Sequence, residues 1–257
     1  MMNGDNHFTF IVPMFNASST LPTMLHSICG QSYDNWRIIL IDDVSTKEHI
    51  DLAEQICTQF QCMLGGRYSD KIDLILNESK KWEVANVLSG IKRCNDDDIV
   101  CRIDADDWLT DIDALAILDS IYAQSGCDAV WSSHRWGFTD KNISGPMNYD
   151  ADPYKHPWVS SHLKTFRKRL INGVPYENFL NMDGELVRRA GDQAIYLPVL
   201  RNAKKFGFLP RVLYHYTIDE QNGAVYQTDD AKFQKQEADF IRARGYVTNG
   251  SAWEGCI

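Results

Sequence analysis

The stretch Asp98–Trp108, which reads DIVCRIDADDW, decides the fold of this chain of 257 residues. A short, mainly apolar run, Ile99–Ile103, leads directly into three acids, Asp104, Asp106 and Asp107. A buried strand that ends in this way delivers its acids to the carboxyl edge of a sheet, where ligands bind in open α/β folds. Because residues two apart in an extended segment point the same way, Asp104 and Asp106 are predicted to converge on one Mg²⁺ or Mn²⁺ ion. The alternative is a solvated acidic loop or a helix N-terminus.

Strand and helix patterns alternate through the first half of the chain. Besides the strand at Asp98–Ile103, short apolar runs predict strands at Phe8–Val12, Trp36–Ile41, Ile72–Leu76 and Asp128–Trp131. Apolar residues at helical spacing predict helices at about residues 21–28, 50–60, 84–91 and 112–122. This alternation predicts βαβ units and a mostly parallel sheet, in which the acids that follow the second and fourth strands share one edge. No GxGxxG or P-loop motif follows a strand, which excludes the usual dinucleotide and P-loop sites.

The second half of the chain is less regular. Residues 132–157 are rich in Gly, Pro, Asn and Asp and are predicted to form a long connection. Ser160–Leu170 is basic and is predicted to be a strand that turns into a helix. Asp192–Phe206 has a helical pattern with Asp192 at its start, although Pro198 would kink it. A strand at Val212–Tyr216 and an amphipathic helix at Asp229–Arg244 complete the prediction.

Charge is distributed unevenly along the sequence. The chain carries 26 Lys and Arg against 35 Asp and Glu, and its net charge of −9 argues against a simple nucleic-acid-binding module. Within residues 155–211, however, 11 basic residues face 4 acidic ones, a net +7, which suggests a locally held anionic ligand. His162, Lys164, Arg167 and Arg169 would contact donor phosphates or an anionic acceptor, or they would form only a solvated basic face.

Cysteine usage and the absence of a long apolar run bear on the compartment. The 7 cysteines are an odd number without metal-ligand spacing, and several lie within apolar runs, as buried thiols do. They favour a reducing compartment. No run approaches the ~18 apolar residues of a transmembrane helix, and the start of the chain lacks a signal-peptide pattern. We therefore expect a cytoplasmic protein without a transmembrane segment.

Three segments resemble one known family, the family 2 glycosyltransferases. Residues 10–46, FIVPMFNASSTLPTMLHSICGQSYDNWRIILIDDVST, resemble the opening of that family, and residues 102–109, RIDADDWL, are similar to its metal-binding DxD strand end. Residues 190–216, AGDQAIYLPVLRNAKKFGFLPRVLYHY, resemble its late helix and closing strand. The resemblance implies the GT-A fold: an α/β fold with a mostly parallel Rossmann-like sheet flanked by helices and a small C-terminal extension on the acceptor side. Residues 1–257 would form one such domain, with a nucleotide-sugar-binding half at about 8–132 and an acceptor half at about 133–257.

The resemblance also implies roles for individual residues. Phe15 would pack against the nucleotide base, Asp42 or Asp43 would hold the base or ribose, and Asp192 would be the general base that deprotonates the acceptor hydroxyl. Some relatives place a third metal contact at the position of His215. The predicted metal ligands are therefore Asp104, Asp106 and His215, and the predicted substrate-binding residues are Pro13, Phe15, Asn16, Asp42, Asp43, Asn86, Asp104, Asp106 and Arg167.

Each role has a structural alternative. Asp42 and Asp192 would then be only helix caps, Phe15 a core residue and His215 a packed histidine. The sequence also departs from the family pattern at several positions: Met14 and Val44 replace the common Thr and Gly, Gly191 stands where Glu is frequent, and Asn86 is a partial remnant of an Arg-Asn pair.

The resemblance implies a metal-dependent inverting glycosyltransferase. Such an enzyme moves a sugar from a nucleotide-sugar donor, a UDP-sugar being favoured, to an acceptor hydroxyl of a glycan or other saccharide. Alternatives are transfer to a modified DNA base, which the overall charge disfavours, and a non-catalytic nucleotide-sugar or glycan-binding module. A nucleotidyltransferase, which also uses paired Asp residues, is disfavoured because no Gly-rich phosphate loop is present.

Overall fold

The computed structural model describes residues 6–217 and 229–257. Its strands are β1 (Phe8–Met14), β2 (Trp36–Asp42), β3 (Ile72–Leu76), β4 (Ile99–Arg102), β5 (Trp108–Leu109), β6 (Ala129–Trp136), β7 (Lys164–Arg167) and β8 (Phe206–Tyr216). Its α-helices are α1 (Leu21–Cys29), α2 (Lys47–Gly66), α3 (Trp82–Ile91), α4 (Ala114–Ser125), α5 (Gly191–Asn202) and α6 (Asp229–Arg244). Short 3₁₀ helices lie at Lys168–Leu170, Tyr176–Phe179 and Trp253–Gly255.

The strands form one sheet in the order β3-β2-β1-β4-β7-β6-β8-β5. The first four strands along the chain are mutually parallel, with Met14 opposite Asp42 and Ile11 opposite Arg102. Their carboxyl ends therefore meet at one edge, as predicted. Strand β7 runs antiparallel to β4, so that Lys164 lies opposite Arg102 at this carboxyl edge and Arg167 lies opposite Ile99 at the other edge.

Alternating apolar residues bury both faces of the sheet. On β2, Trp36, Ile38 and Leu40 pack into the core on one face, while Ile39 and Ile41 pack into the core on the other. Helices α1, α2 and α4 contribute to the first core, and α3 and α5 contribute to the second. A near-continuous apolar strand is what a parallel sheet covered on both faces requires.

The fold confirms most of the predicted elements and corrects some boundaries. Strand β6 continues to Trp136, five residues into the predicted connection, because it pairs in parallel with β8 along its whole length. Helix α5 ends at Asn202, and Phe206 begins β8 instead of ending the helix. The basic stretch predicted as strand and helix is strand β7 followed by one 3₁₀ turn. Strand β5 was not predicted from the sequence.

Within the described ranges, no helix is both long enough and apolar enough to cross a membrane.

Candidate active site

The acids after β4 lie in a turn rather than in an extended segment. The backbone N–H of Asp107 donates to the carbonyl of Asp104 over 3.2 Å, which reverses the chain before β5. The expectation of an extended Asp104–Asp106 pair is therefore wrong, since its geometric premise fails. Both side chains nevertheless line one cleft of about 260 Å³ at the carboxyl edge of the sheet.

Asp107 anchors this turn to the end of β8. Its carboxylate accepts a hydrogen bond from the Tyr214 hydroxyl (2.6 Å) and another from the Thr217 backbone N–H (2.7 Å). The Thr217 hydroxyl also donates to the carbonyl of Asp106. Burial, together with the charges of Asp104 and Asp106, raises the pKa of Asp107 well above its usual range. Asp107 therefore holds the turn, which leaves Asp104 and Asp106 facing the cleft.

Arg102 is a buried cation among three carboxylates. One guanidinium nitrogen donates to Asp104 and the other to Glu83 on α3, each over 2.6 Å. The nitrogen that holds Asp104 also lies 3.9 Å from Asp192 on the first turn of α5. Because alternate residues of β4 face opposite sides of the sheet, Arg102 points toward α3 and α5 and not toward the core formed with α1.

Asp192 is enclosed by positive and titratable groups. Its carboxylate lies 2.7 Å from the Lys164 ammonium and 3.6 Å from His162 Nε2. Burial alone would raise the pKa of Asp192, but the charges of Lys164 and Arg102 outweigh burial and hold the pKa well below its usual range. Asp192 is therefore ionised at neutral pH. Burial and the charge of Lys164 also keep the pKa of His162 well below its usual range, so this imidazole is neutral.

Asp104 and Asp106 have the chemistry of a divalent-cation site. Only one Asp104 oxygen is engaged by Arg102, and Asp106 reaches solvent in the cleft. Desolvation, followed by the charge of Asp104, raises the pKa of Asp106 to about 6. Repulsion of this kind between two carboxylates is relieved when a cation binds between them. The two oxygen ligands fit Mn²⁺ or Mg²⁺, with the rest of the shell left to substrate and water.

His215 does not join these two acids. Its ring stacks on Trp108 with a centroid distance of 3.7 Å, and its Nδ1 lies 3.4 Å from an Arg135 guanidinium nitrogen. Across the described ranges, no group of three or more His, Cys, Asp or Glu side chains is arranged to hold a metal. The structure therefore gives the predicted third metal contact no support.

The residues predicted to bind the nucleotide lie at the neighbouring strand ends. Pro13 is half-buried near the end of β1, and the Phe15 ring that follows is 52% exposed, with the Lys80 ammonium 3.3 Å above its centroid. The Asn16 side chain accepts from the Thr46 backbone N–H over 3.0 Å, which ties the end of β1 to the loop before α2. Phe15 is thus not a core residue, and its ring is open to a ligand.

Asp42 and Asp43 are buried and already hydrogen-bonded within the protein. Asp42 accepts from both the backbone N–H and the hydroxyl of Ser45, as a residue that shapes the start of a helix does. Asp43 accepts from the backbone N–H groups of Lys81 (2.8 Å) and Trp82 (2.9 Å). Burial raises the pKa of Asp43, but these bonds outweigh it and lower the pKa.

Asn86 belongs to the same network, since its side chain accepts from Asn77, which also donates to Asp43. These contacts show Asp42, Asp43 and Asn86 as residues that shape the loops at the edge of the sheet. A direct contact of any of the three with nucleotide remains a prediction.

Arg167 lies away from the cleft, which corrects its prediction as a substrate-binding residue. Strand β7 is antiparallel to β4 and carries its last residue to the amino edge of the sheet. There the Arg167 guanidinium lies over the Tyr122 ring and donates to the Asn6 side chain over 3.2 Å. Lys168 pairs with Asp96 at the same edge. The net +7 of this part of the sequence thus does not form a basic patch at the cleft.

Several residues of the cleft were not singled out from the sequence. Glu83 and Arg189 line the cleft. Glu237 on α6 accepts hydrogen bonds from the backbone N–H groups of Arg189 and Ala190, in the loop that leads to Asp192. Arg102 carried the clearest signal, because an arginine inside a short buried strand needs anionic partners. Glu83 and Glu237 carried no local signal, since a glutamate in the first turn or middle of a helix is ordinary.

The fold is that of the GT-A glycosyltransferases, an α/β fold with a mostly parallel sheet flanked by helices. A sequence profile described as Glycosyl transferase family 2 matches residues 9–175, which is more than half of the chain. The chain therefore belongs to glycosyltransferase family 2, a family of transferase enzymes.

Individual relatives agree with this assignment. The putative glycosyltransferase EpsE of Bacillus subtilis (strain 168) is 33% identical over 106 residues, which are 41% of this chain and 35% of that protein. S. aureus TarS in complex with UDP-GlcNAc superposes with a TM-score of 0.64 at 17% identity, over 83% of this chain and 59% of the other. The mannosyltransferase PcManGT of Pyrobaculum calidifontis, in complex with GDP-Man and Mn²⁺, superposes with a TM-score of 0.59 at 16% identity. This superposition covers 96% of this chain and 65% of the other. The match to EpsE spans about a third of its length, and the two structures support the fold alone.

Proposed function

We propose that this chain is a metal-dependent inverting glycosyltransferase that moves a sugar from a nucleotide-sugar donor to an acceptor hydroxyl. The observation that carries the proposal is one cleft lined by Asp104, Asp106 and Asp192, in which two acids suit a cation and the third is ionised and partly open to solvent. TarS with UDP-GlcNAc and PcManGT with GDP-Man support a nucleotide-sugar donor. A UDP-sugar is our first choice.

Asp104 and Asp106 would hold the divalent ion, and Mn²⁺ in the PcManGT complex supports this assignment. Such an ion, when bound, neutralises the charge that develops on the leaving diphosphate. The exposed Phe15 ring would receive the nucleotide base, with Asp42, Asp43 and Asn86 fixing the loops that surround it. Residues 8–132 would thus supply most of the donor side of the cleft, and the rest of the chain would supply the acceptor side.

Asp192 would remove the proton from the acceptor hydroxyl, which then attacks the anomeric carbon from the face opposite the diphosphate. In the ligand-free protein Lys164 keeps this carboxylate ionised but weakly basic. Loss of this close contact with Lys164 when the acceptor binds would raise the basicity of Asp192 toward the working pH.

The acceptor is proposed to be a saccharide hydroxyl. Arg167 and Arg169, which were predicted to contact donor phosphates or an anionic acceptor, lie at the far edge of the sheet beside Asn6 and Asp128. Lys168 lies at the same edge with Asp96. Five acids and two arginines line the cleft itself. A polyanionic acceptor is therefore disfavoured.

The test combines donor binding with turnover. Thermal unfolding is measured with a panel of UDP- and GDP-sugars, with Mn²⁺ or with excess chelator, because a bound donor raises the apparent stability. Transfer and donor hydrolysis are then compared in the parent and in Asp192→Asn. We expect the variant to keep the donor-dependent shift while turnover falls by about 10²- to 10⁴-fold, the range for loss of a general base.

Asp183→Asn is the matched control, because Asp183 is an exposed acid nine residues away that does not line the cleft. It should leave turnover unchanged. Normal turnover in Asp192→Asn would exclude Asp192 as the general base. Full activity of the parent in excess chelator would exclude a requirement for the metal.

A further inference from the structure

Glu83 and Gly191 face each other across the back of the cleft. Glu83 lies in the first turn of α3, and its carboxylate accepts from Arg102 over 2.6 Å. Gly191 is the buried first residue of α5, directly before Asp192. A Cβ placed on Gly191 would lie 2.4 Å from Cδ of Glu83 and 2.6 Å from each of its carboxylate oxygens. Nonbonded carbon and oxygen atoms do not approach each other so closely. The Glu83 carboxylate therefore fills the space that a side chain at position 191 would need.

The Glu83 carboxylate in this space binds the Arg102 guanidinium. Arg102 is only 10% exposed and is shared by Glu83, Asp104 and, more distantly, Asp192. A guanidinium has a rigid fork of donors, so a carboxylate on one nitrogen fixes the direction of the other. With Glu83 on one side, the opposite nitrogen is aimed at Asp104 and Asp192.

Four charged groups from β4, the turn after it, β7 and α5 act on Glu83. Burial raises its pKa to about 7, the charge of Arg102 opposes this, the charges of Asp192 and Asp104 add to it, and Lys164 lowers it. Arg102 is thus the main group that favours the ionised form of Glu83. Removal of Arg102 would therefore raise the pKa of Glu83 further, whereas removal of Glu83 would leave Arg102 with Asp104 and Asp192.

We propose that Glu83 is a positioning residue for glycosyl transfer: it supplies from α3 the carboxylate that aims Arg102 between Asp104 and Asp192, and Gly191 makes the room for it. This inference rests on the proposed function, because Asp104 and Asp192 are its metal-binding and base residues. Without Glu83, Arg102 retains only those two acids as close anionic neighbours among the described residues. It would then compete with the divalent ion for Asp104 and pair more closely with Asp192.

The test moves the carboxylate from one side of the space to the other. Glu83→Ala removes it, Glu83→Ala with Gly191→Ala leaves the space filled but neutral, and Glu83→Ala with Gly191→Asp returns a carboxylate from α5. Asp is chosen because its carboxyl carbon is one bond from Cβ, which would lie 2.4 Å from the Glu83 carboxyl carbon. Glu83→Gln provides a milder change that keeps the side-chain volume.

We expect kcat to fall by about 10- to 100-fold in Glu83→Ala and in the double alanine variant, as for a misplaced active-site group. The Gly191→Asp combination should recover most of this loss, and Glu83→Gln should lie between. The Mn²⁺ concentration that gives half of the thermal shift with UDP or GDP should rise in Glu83→Ala. Glu48→Ala, which removes an exposed glutamate from the first turn of α2, is the matched control and should change neither measurement.

A stability measurement separates the geometry from the function. Gly191→Ala alone should lower the melting temperature through the 2.4 Å clash, and adding Glu83→Ala should relieve that loss whether or not the protein transfers sugar. Absence of this coupling would overturn the shared space. Parental kcat in Glu83→Gln, or a Gly191→Asp combination no better than the double alanine variant, would overturn the positioning role. If Glu83→Ala restores the melting temperature of Gly191→Ala but the parent protein transfers no sugar, the proposed function would be overturned. The catalytic part of this inference would then be overturned with it.

Discussion

Lys164 and Arg167 are the two ends of one short strand, β7, yet they belong to different parts of the molecule. The Lys164 ammonium is buried 2.7 Å from Asp192 in the cleft. Arg167 lies at the opposite edge, over the Tyr122 ring and beside Asn6. Four residues of strand span roughly 10 Å or more, which is enough to separate a site from its scaffold. A cluster of like charges in sequence is therefore not a cluster in space unless its segment is a helix face or a loop.

The two edges also differ in how their charges are paired. At the cleft, Arg102 and Lys164 are almost completely buried among acids, and burial lowers the pKa of Lys164 although Asp192 opposes this. At the far edge, Lys168 and Arg169 pair with Asp96 and Asp128 close to solvent. Removing one member of a buried pair is expensive, whereas a surface pair contributes little. The four predictions below use this difference.

The largest difference is expected between Lys164→Met and Arg167→Met. Among the described residues, loss of Lys164 leaves Asp192 with two more distant basic neighbours, His162 at 3.6 Å and Arg102 at 3.9 Å. We expect the free energy of unfolding to fall by about 3 kcal/mol, the lower end for a broken buried pair because Asp192 is partly open to the cleft. Arg167→Met should cost no more than about 1 kcal/mol.

The same pair of variants should differ in pH dependence. In the parent, Lys164 lowers the pKa of Asp192, so the stability that this acid contributes is present above its unfolded-state pKa and is lost only as pH falls through the lower folded-state value. Without Lys164 that pKa rises, and the acid limb of the kcat/KM profile should move to higher pH. Rate profiles between about pH 4 and pH 8 measure this shift. Equal shifts in Lys164→Met and Arg167→Met would show that the two ends of β7 are not electrostatically distinct.

The sequence predicted the parallel half of this molecule well because its signal is local. Short apolar runs ending in acids or in Pro13 fix both the strands and the edge at which Asp42, Asp104 and their neighbours emerge. The antiparallel strand β7 was the weak point, since nothing in residues 164–167 says in which direction they cross the sheet. That direction decides that Lys164, and not Arg167, reaches the cleft.

The site residues missed from the sequence depend on long-range contacts. Glu83 meets Gly191 across 108 positions of sequence, and Glu237 meets the loop before α5 from a helix about 50 residues later. No periodicity or spacing rule links such positions. Gly191 was noted only as a departure from the family pattern, and its meaning became visible when the structure placed the Glu83 carboxylate in the vacant space.

The second prediction concerns Glu237, a fully buried acid of α6 behind the cleft. Its two oxygens accept four N–H groups, namely the Asn181 side-chain amide and the backbone N–H groups of Arg188, Arg189 and Ala190. Glu237→Gln turns an NH₂ group toward at least one of these donors. We expect a loss of about 1–3 kcal/mol in unfolding free energy and a drop of about tenfold in kcat, because this loop leads into Asp192.

Glu254→Gln is the matched control for Glu237→Gln. Glu254 also accepts a hydrogen bond from a backbone N–H, that of Gly173, over 2.9 Å. Glu254 and Gly173 both lie outside the lining of the cleft. This variant should change the melting temperature slightly and leave kcat at the parental value. A similar loss of kcat in both variants would mean that Glu237 acts through general stability and not through the loop before Asp192.

The third prediction compares the titration of one acid from each edge. The pKa of Glu83 is raised to about 7, chiefly by burial, so the folded parent loses stability as pH rises from about 5 to 8. The pKa of Asp96 is lowered by its hydrogen bonds from Lys168 and Asn172, so its contribution is lost as pH falls. Relative to the parent, Glu83→Gln should gain stability with rising pH, whereas Asp96→Asn should gain it with falling pH. Chemical unfolding should show the Glu83→Gln slope between about pH 5 and pH 8 and the Asp96→Asn slope below about pH 4, where the unfolded-state carboxyl of Asp96 titrates. Slopes of the same sign would contradict the assigned environments.

The smallest effect is expected from reversing charge at the far edge with Lys168→Glu and Arg169→Glu. These side chains pair with Asp96 and Asp128 over 2.7 Å each, and neither pair faces the cleft. Reversal replaces two surface attractions by repulsions, and each pair should cost no more than about 1 kcal/mol, an effect that salt screens. The KM values for donor and acceptor should stay unchanged at low and moderate ionic strength, because no charge in the cleft has moved. If the acceptor KM instead rises in the variant, and rises most at low salt, then the acceptor reaches round the sheet to this edge and the basic residues that follow β7 belong to one extended site after all.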